Sequence, residues 1–554
     1  ECLEPSQKQM EWAIPKTCEG QNSVQQQANS YSTAGITWNF NTSSENVIID
    51  RRIYARAQFQ MTFVGTAPVG QPLISNEADA LRCLPLASVT NSLKVTINGS
   101  SIESQYADAL TGLLRYNLDD QCKEHDLSMS PSAQDRYQRY VDGVGSVRNP
   151  LSNYQNSGTS VVGRGAFAVD SITNPRSVDP AVAITAVVLF TVTEPLLLSP
   201  FQYKSAELQS GLIGVRNMGV SFNFASGQLA RLWSRAPSGS VNITSVTAAI
   251  GAGTTAPPSL LVNYLTPPLM SQSQIPRQVN YQYYKAETFV NDMNVSLAAN
   301  ATQRFTNNSI QLSTVPKCIY IWASRRNADK THLTSDTFFA LSNLSLQYLN
   351  VSGQFSSMSI QDLYQMCVKN GCNLSWSEWS GRTQTLGDSV GPATRGSQDG
   401  MVGSPIKLDI TDLHIPSNIA SGMNVNSQLG FSVDVTNVNQ NDPINVQLTT
   451  VLVYDGLMTI SNGSMATQVG IISKSDVIET RADRDNYIDY KSASTVYGGS
   501  LYSQLGHLAA VGKRGLDMAC DLKDKLGGQM VSPGHGASGG AMLSRKELKS
   551  RMFE

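Results

Sequence analysis

The motif that most resembles a catalytic signature lies far along the sequence. Residues 536–540 read Gly-Ala-Ser-Gly-Gly and match the G-x-S-x-G pattern of serine hydrolases. That motif works only where a strand precedes it and a helix follows it, because the strained turn between them presents the serine. The flanking residues here are Ser-Pro-Gly-His and Ala-Met, which are typical of a linker. We therefore predict no nucleophile at Ser538.

Phosphate and metal sites are disfavoured on similar grounds. Residues 506–514 resemble a phosphate-binding loop, but the glycine spacing is one residue too long and Arg514 replaces the Ser or Thr that would hold magnesium. Cys367 and Cys372 lie close together without the second pair that completes a zinc site. No two histidines are at ligand spacing; they are His125, His332, His414, His507 and His535. We predict no metal and no cofactor.

The carboxylate pairs do not nominate an active site either. A glycoside hydrolase needs two facing acids, and the pairs Asp119-Asp120 and Asp409/Asp412 are candidates. Aspartate is also favoured in turns and helix caps, where its side chain accepts backbone hydrogen bonds. We assign both pairs to such turns and caps, predict no catalytic residue, and expect a protein that is not an enzyme.

Charge and length restrict the class of protein further. The chain has 554 residues and only 15% charged residues, whereas about 25% is usual. Single cores stop growing at roughly 250–300 residues, so two large domains are expected. The first 50 residues hold six acids and two bases. A basic arm that would neutralise a packaged genome is therefore missing from residues 1–50.

Period-two alternation of apolar and polar residues indicates strands in two series. In the first series the alternation covers residues 53–63, and residues 93–99 repeat it before the Asn-Gly turn signal. The second series opens at residues 279–289 and includes residues 446–454, after which Asp455-Gly456 marks a turn. The opening strands are about 230 residues apart, which indicates a tandem duplication of one β-sandwich.

Helices are predicted to be short and to lie between strands. The predicted helices cover residues 77–82, 103–115, 228–235 and 359–369. From residue 482 the pattern changes, and residues 503–526 carry apolar residues near helical spacing. Residues 512–554 have a net charge of +3. A basic amphipathic helix can dock on a neighbouring subunit, lie on a membrane or contact nucleic acid, and we favour docking on protein.

Several stretches, in this order, resemble the double jelly-roll major capsid proteins of the adenovirus-like lineage. The similarity is closest to those of polinton-like viruses, virophages and related eukaryotic double-stranded DNA viruses. The stretches are EPLLLSPF at 194–201, GLIGVRNM at 211–218, LLVNYLTPP at 260–268, YQYY at 281–284, QLSTVPKCIYIW at 311–322, DLYQM at 362–366, KNG at 369–371 with Trp376, and YDG at 454–456.

This resemblance implies an all-β fold of two consecutive eight-stranded jelly-roll sandwiches, with short helices in long loops and a partly helical C-terminal tail. The expected divisions are an N-terminal arm at 1–47, a first jelly roll at 48–268, a second at 269–481 and the tail at 482–554. Each is an expectation from the match between the family's layout and the patterns above.

The resemblance also implies a structural function in the virion, with assembly inside the host cell. Three copies would form a homotrimeric, pseudo-hexagonal capsomer of an icosahedral double-stranded DNA virus shell. The expected partners are neighbouring capsomers and, through the tail, penton and minor capsid or cement proteins, without direct sequence-specific binding of nucleic acid. Contact with a membrane stays open. The alternative is a tandem β-sandwich adhesion or carbohydrate-binding protein, which would need exposed aromatic platforms.

Overall fold

The computed structural model describes most of residues 20–470. The gaps within this range are residues 43, 45–46, 76–77, 117–129, 133, 141–168, 202–210, 226, 237–239, 251–255, 268–277, 350, 385–397, 414–421, 440 and 462. The G-x-S-x-G motif, the segment that resembles a phosphate-binding loop and the tail helix predicted at 503–526 lie outside the described residues.

The first half of the chain forms a sandwich of a seven-stranded and a five-stranded sheet. Strands β10, β5 and β14 form the centre of the larger sheet, and β3, β11 and β7 form the centre of the smaller one. The strands are β1 (Gly20–Gln27), β2 (Ser30–Ser32), β3 (Gly35–Asn41), β4 (Ile48–Ile49), β5 (Tyr54–Thr66), β6 (Asp79–Leu81), β7 (Thr90–Ile97), β8 (Ser100–Gln105), β9 (Ser171–Thr173), β10 (Ile184–Pro195), β11 (Asn217–Phe224), β12 (Trp233–Arg235), β13 (Asn242–Ile250) and β14 (Ser259–Thr266).

Strand β5 shows why this half folds as a sandwich. Its odd-numbered residues from Ala55 to Phe63 are all buried, while the even-numbered ones are partly or fully exposed. Because side chains alternate between the two faces of a strand, this pattern buries one face against the opposite sheet. Phe59 lies opposite Phe190 of β10, and their rings stack at 6.2 Å. The strand predicted at 53–63 is confirmed.

Residues 20–41, which lie within the N-terminal arm that the sequence predicts, are paired into the first sandwich. Strand β1 pairs along its whole length with β14, and β3 pairs with β11. Ile36 and Trp38 of β3 are fully buried. Strand β1 lies at a sheet edge and is mostly exposed, so its Gln-rich sequence carries no apolar face by which it could have been recognised.

The second half forms another sandwich, of a five-stranded and a four-stranded sheet. In the larger sheet β15, β24, β17 and β22 lie side by side, with β25 also on β24; the smaller has the order β16-β23-β18-β19. The strands are β15 (Gln278–Leu297), β16 (Thr302–Thr314), β17 (Cys318–Arg325), β18 (Ala340–Tyr348), β19 (Val351–Gln354), β20 (Arg382–Gln384), β21 (Gln398–Gly400), β22 (Ile406–Asp409), β23 (Asn424–Thr436), β24 (Ile444–Ser461) and β25 (Ser464–Val469).

The two halves together give the double jelly roll that the sequence predicted, with short extra strands beside the long ones. One local prediction was wrong, because β24 continues through Asp455-Gly456 instead of turning there. A Cβ on Gly456 would lie 2.4 Å from the carbonyl oxygen of Gln468. The glycine therefore permits the close approach of β25 and does not make a turn.

The helices are short, as predicted, but not all lie where the sequence placed them. Residues 79–81 and 233–235, within two predicted helices, instead form β6 and β12 and pair with each other, since long-range pairing outweighs local propensity. Ser359 caps the helix predicted at 359–369 with a capping box. The helices are α1 (Pro85–Val89), α2 (Tyr106–Leu113), α3 (Ile360–Lys369) and α4 (Trp376–Trp379).

Candidate functional site

The residues that the sequence nominated for chemistry have structural roles wherever they are described. Asp409 and Asp412 cap the turn at Ile410–Asp412, as predicted. Asp412 also accepts hydrogen bonds from Lys369 and Asn370, at 3.0 and 2.6 Å. Cys367 and Cys372 are buried free thiols. Asp119, Asp120 and all histidines except His332 lie outside the described residues.

The largest concentration of buried charge lies between the two sandwiches. Side chains from the first half meet a loop of the second half that includes Lys330 and Asp336. We call this group the charged junction; its members are Arg82, Arg115, Arg231, Lys330, Asp135 and Asp336.

Arg82 makes the most contacts across the charged junction. Its side chain is fully buried, and Nη1 donates to Oδ2 of Asp336 at 2.8 Å. Nη2 donates to the carbonyl oxygens of Thr331 and Thr334, at 3.2 and 3.0 Å. Nε donates to the carbonyl oxygen of Arg231 at 2.8 Å. One guanidinium group of the first sandwich thus fixes the loop of the second through three acceptors.

The two carboxylates of the charged junction complete the contact, Asp336 from the loop itself and Asp135 from the first half. Asp336 accepts from Arg231 Nη2 at 2.6 Å as well as from Arg82. Asp135 Oδ2 accepts from the backbone N–H of Asp336 at 2.7 Å and from the Tyr140 hydroxyl at 3.0 Å. The network therefore connects side chains and backbone, and removing one member would leave several buried groups unpaired.

The protonation of these groups follows from burial and from charge partners. Burial alone would raise the pKa of Asp336, but Arg82 and Arg231 outweigh it and hold that pKa below its ordinary value. Burial lowers the pKa of Arg115 to about 10. Burial, together with the nearby charge of Arg231, lowers the pKa of Lys330 to about 8. Asp336 is therefore ionised at neutral pH. Burial makes the charged forms of the surrounding cationic side chains less favourable than they are in water.

A second, apolar contact joins the halves at the ends of three strands. Side chains of β15, β24 and β25 leave their own sandwich and complete the hydrophobic core of the first. We call this group the strand-end junction; its members are Val279, Tyr281, Tyr283, Met458, Ile460 and Met465. The Tyr281 hydroxyl accepts from the N–H of Ile213 at 2.9 Å and donates to the carbonyl oxygen of Gly211 at 3.2 Å.

The contribution of core residues is mutual, because the segment around α2 of the first half packs in the core of the second sandwich. Ala109 and Tyr116 belong to that core. Gly112 packs on the ring of Trp322, where a Cβ would lie only 2.5–2.6 Å from ring carbons. The Tyr116 hydroxyl donates to the carbonyl oxygen of Pro405. Each sandwich therefore has a core that is closed by residues from the other.

These contacts can transmit force and fix geometry, but they offer no reaction chemistry. No group of three metal-ligating side chains occurs in the part of the chain that the structure describes. The arrangement is suited to holding two sandwiches as one rigid body.

The chain matches two family models, one for each half. Residues 3–265 match the family model of the first domain of the Sputnik virophage major capsid protein, and residues 284–456 match that of the C-terminal domain of major capsid protein V20. Capsid protein V20 of Sputnik virophage is 30% identical over 488 residues, which cover 86% of this chain and 79% of the relative. The chain belongs to the virophage major capsid protein family.

Solved virophage structures show the same fold. The Sputnik virophage structure determined by cryo-electron microscopy matches with a TM-score of 0.77 and 28% identity, over 88% of this chain and 95% of that chain. The mavirus major capsid protein matches with a TM-score of 0.66 and 18% identity, over 84% and 93%. This virophage major capsid protein is thus a structural component of the virion and not an enzyme, which decides between the two functions that the sequence left open.

The charged junction of this virophage major capsid protein was missed by sequence reasoning. Arg231 directly precedes the apolar pair Leu232-Trp233, which is a weak sign of a buried arginine. The partner Asp336 is 254 residues away from Arg82, so no local pattern could have joined them.

Among the described helices, none is long and apolar enough to cross a membrane.

Proposed function

We propose that three copies of this chain associate into a homotrimeric, pseudo-hexagonal capsomer that tiles an icosahedral shell. The observation that carries the proposal is the pairing of two jelly rolls through two buried junctions. Three such rigid pairs present six similar sandwiches around one axis, which is the requirement for tiling six-fold positions. Closed symmetry also stops the growth of apolar contacts between subunits.

Within this proposal the jelly rolls comprise about residues 48–268 and 269–481, and no residue has a catalytic, cofactor-binding or metal-binding role. The capsomer contacts neighbouring capsomers directly. Residues 482–554 contact penton and minor capsid or cement proteins, since their net positive charge and helical apolar spacing suit docking on a protein surface. Sequence-specific recognition of nucleic acid is not part of this function.

The trimer is tested by the mass of the purified full-length protein. Light scattering should give about three times 59.9 kDa, and the mass should persist on dilution because obligate interfaces commonly exceed roughly 2,000 Å². A mass of 59.9 kDa at all concentrations would contradict the trimer.

The role of the tail is tested separately in the full-length chain. Leu508→Asp with Leu516→Asp places charge on the apolar face predicted for residues 503–526. We expect trimers of normal mass that fail to assemble into shells, as seen by electron microscopy. Ser503→Asp with Ala510→Asp adds the same two charges to the opposite face of the predicted helix; it is the matched control and should assemble normally. Normal shells from the double variant would exclude docking through this face.

A further inference from the structure

Two cysteines lie at the C-terminal end of α3, in a backbone motif that brings their side chains together. The N–H of Cys372 donates to the carbonyl oxygen of Cys367 at 2.9 Å. The N–H of Gly371, whose φ is +93°, donates to the carbonyl oxygen of Val368 at 3.0 Å. These two hydrogen bonds around a left-handed glycine form a Schellman motif, in which the side chains at the two cysteine positions commonly pack on each other.

The backbone of this motif has the right dimensions for a disulfide. The hydrogen bond between Cys372 and Cys367 keeps their Cα atoms within about 6.8 Å, because each Cα is only one or two covalent bonds from the atoms that form it. Disulfides join Cα atoms that are roughly 4.4–6.8 Å apart. The end of α3 can therefore hold a Cys367–Cys372 bridge without a large movement of the backbone.

The two thiols also share their surroundings. Cys367 is fully buried, Cys372 is 7% exposed, and both belong to the core of the second sandwich. The hydroxyl of Tyr116 interacts with both thiols. Cys318, another buried free thiol of this core, lies on β17 and interacts instead with the hydroxyl of Tyr320. The structure thus brings Cys367 and Cys372 together and leaves Cys318 apart.

Burial keeps this pair in the thiol form at neutral pH. It raises the pKa of Cys367 to about 12 and also raises that of Cys372. Because the thiolate is the form that attacks disulfides, both groups react slowly in the folded protein. The reducing interior of a cell further favours free thiols, whereas disulfides persist on particles outside it.

The end of α3 lies where the second half of the chain contacts the first. Cys372 forms an isolated antiparallel bridge with Tyr116, which follows α2. The next residue, Asn373, donates its N–H to the carbonyl oxygen of Arg115 at 3.3 Å. A covalent link at Cys372 would therefore also restrain the backbone contact between the two sandwiches.

We propose that Cys367 and Cys372 are a redox pair, reduced while the protein is made in the host cell and joined by a disulfide in the released virion. The oxidant is a small-molecule disulfide. The thiolate of Cys372, the less buried of the two, attacks one sulfur of the oxidant and releases the other as a thiolate. Cys367 then attacks Sγ of Cys372 and releases the second. One S–S bond forms and one breaks, and the two thiol protons go to the released thiolates.

The first test looks for the bond directly in the full-length protein. The folded protein is incubated with oxidised glutathione at pH 8, and free thiols are then blocked with N-ethylmaleimide during unfolding at slightly acidic pH. Lys369 lies between the two cysteines, so trypsin yields peptides 331–369 and 370–382. Mass spectrometry should find these peptides linked and two hydrogen atoms lighter than their sum.

Two other outcomes of this experiment would overturn the proposal. One is that both peptides carry N-ethylmaleimide after prolonged oxidation. The other is that glutathione remains attached to Cys372, because a neighbouring thiol in reach would have displaced it. A Cys318→Ala variant is the matched control and should give the same linked peptides, since Cys318 lies outside the motif.

The second test measures what the bond does. Oxidation should raise the Tm of the wild type by about 1–3 °C, a small change because the closed loop is short. It should also slow hydrogen exchange in residues 370–373. Cys372→Ala should show neither effect of the oxidant, whatever its own Tm. Equal responses of the wild type and Cys372→Ala would assign the effect to another cysteine and contradict the restraint at the end of α3.

Discussion

The charged junction and the strand-end junction join the same two sandwiches by opposite means. One uses four cations and two carboxylates in a largely buried network, and the other uses apolar strand ends that complete a neighbouring core. Apolar contact is insensitive to orientation, whereas buried ion pairs are stable only in one geometry. The apolar contact therefore supplies adhesion, and the polar contact fixes the relative position of the sandwiches.

The largest effect is expected from Asp336→Asn. This change removes the carboxylate shared by Arg82 and Arg231, which leaves Arg82 with only Asp135, at 3.7 Å, and takes from buried Arg231 its salt-bridge partner. We expect the free energy of unfolding in urea to fall by about 3–5 kcal/mol. Asp434→Asn, in the exposed pair with Arg304, should cost less than about 1 kcal/mol. Equal losses in both variants would mean that the charged junction behaves like a surface pair.

Ile460→Ala tests the apolar junction, with an expected loss of about 2–5 kcal/mol. Ile460 lies on β24 of the second half, is 2% exposed and packs in the first core. Hydrogen exchange should therefore accelerate in β7 of the first sandwich. Val290→Ala, at an exposed position of β15, is the control and should be nearly neutral. Faster exchange confined to the second sandwich would contradict the conclusion that Ile460 completes the core of the first sandwich.

Glu194 is a buried carboxylate that, unlike Asp336, forms no salt bridge with an arginine of the described residues. It accepts from the N–H groups of Leu86 and Ala87 at 2.8 and 2.9 Å, and burial raises its pKa from 4.5 to about 7. The unfolded chain loses this proton first, so the stability of the wild type falls as pH rises from about 4.5 to about 7.

Glu194→Gln should remove that fall, which amounts to at most about 3 kcal/mol. The measurement is the free energy of unfolding of both proteins at pH 5 and pH 7.5. The free energy of unfolding of the variant should increase relative to that of the wild type as pH rises. Glu103→Gln, on an exposed position of β8, should follow the wild type. A constant difference between wild type and Glu194→Gln would show that Glu194 is ionised throughout.

The smallest effect is expected from Tyr281→Phe, which removes the two hydrogen bonds to the backbone of Ile213 and Gly211. The loss should be about 1–2 kcal/mol in urea unfolding. The control is Tyr348→Phe, since the buried hydroxyl of Tyr348 has no partner among the described residues. That change should be neutral or stabilising. If Tyr348→Phe cost more stability than Tyr281→Phe, the two hydrogen bonds of Tyr281 would contribute nothing to the strand-end junction.

The long strands and the fold family were predictable from sequence because their signals are local and repeated. The alternation of residues 53–63 and the Asn98-Gly99 turn both correspond to structure, with positive φ at both turn residues. The two junctions were not predictable. The partners in the charged junction are separated by up to 254 residues, and Met465 of the strand-end junction accepts a hydrogen bond from Ser100, 365 residues away. The residues that form β6 and β12 have helix-like local patterns. The arrangement that pairs them exists only after both sandwiches have formed.

The mutual exchange of core residues also has a consequence for how the chain is made. A ribosome releases β5 and β7 early, but the core that they face is completed only when Met458, Ile460 and Met465 have emerged. The first sandwich therefore has to wait, with apolar surface uncovered, for almost the whole of the second to be synthesised. In a host cell that is copying a viral shell protein at high level, this interval is the period in which a chaperone is needed most.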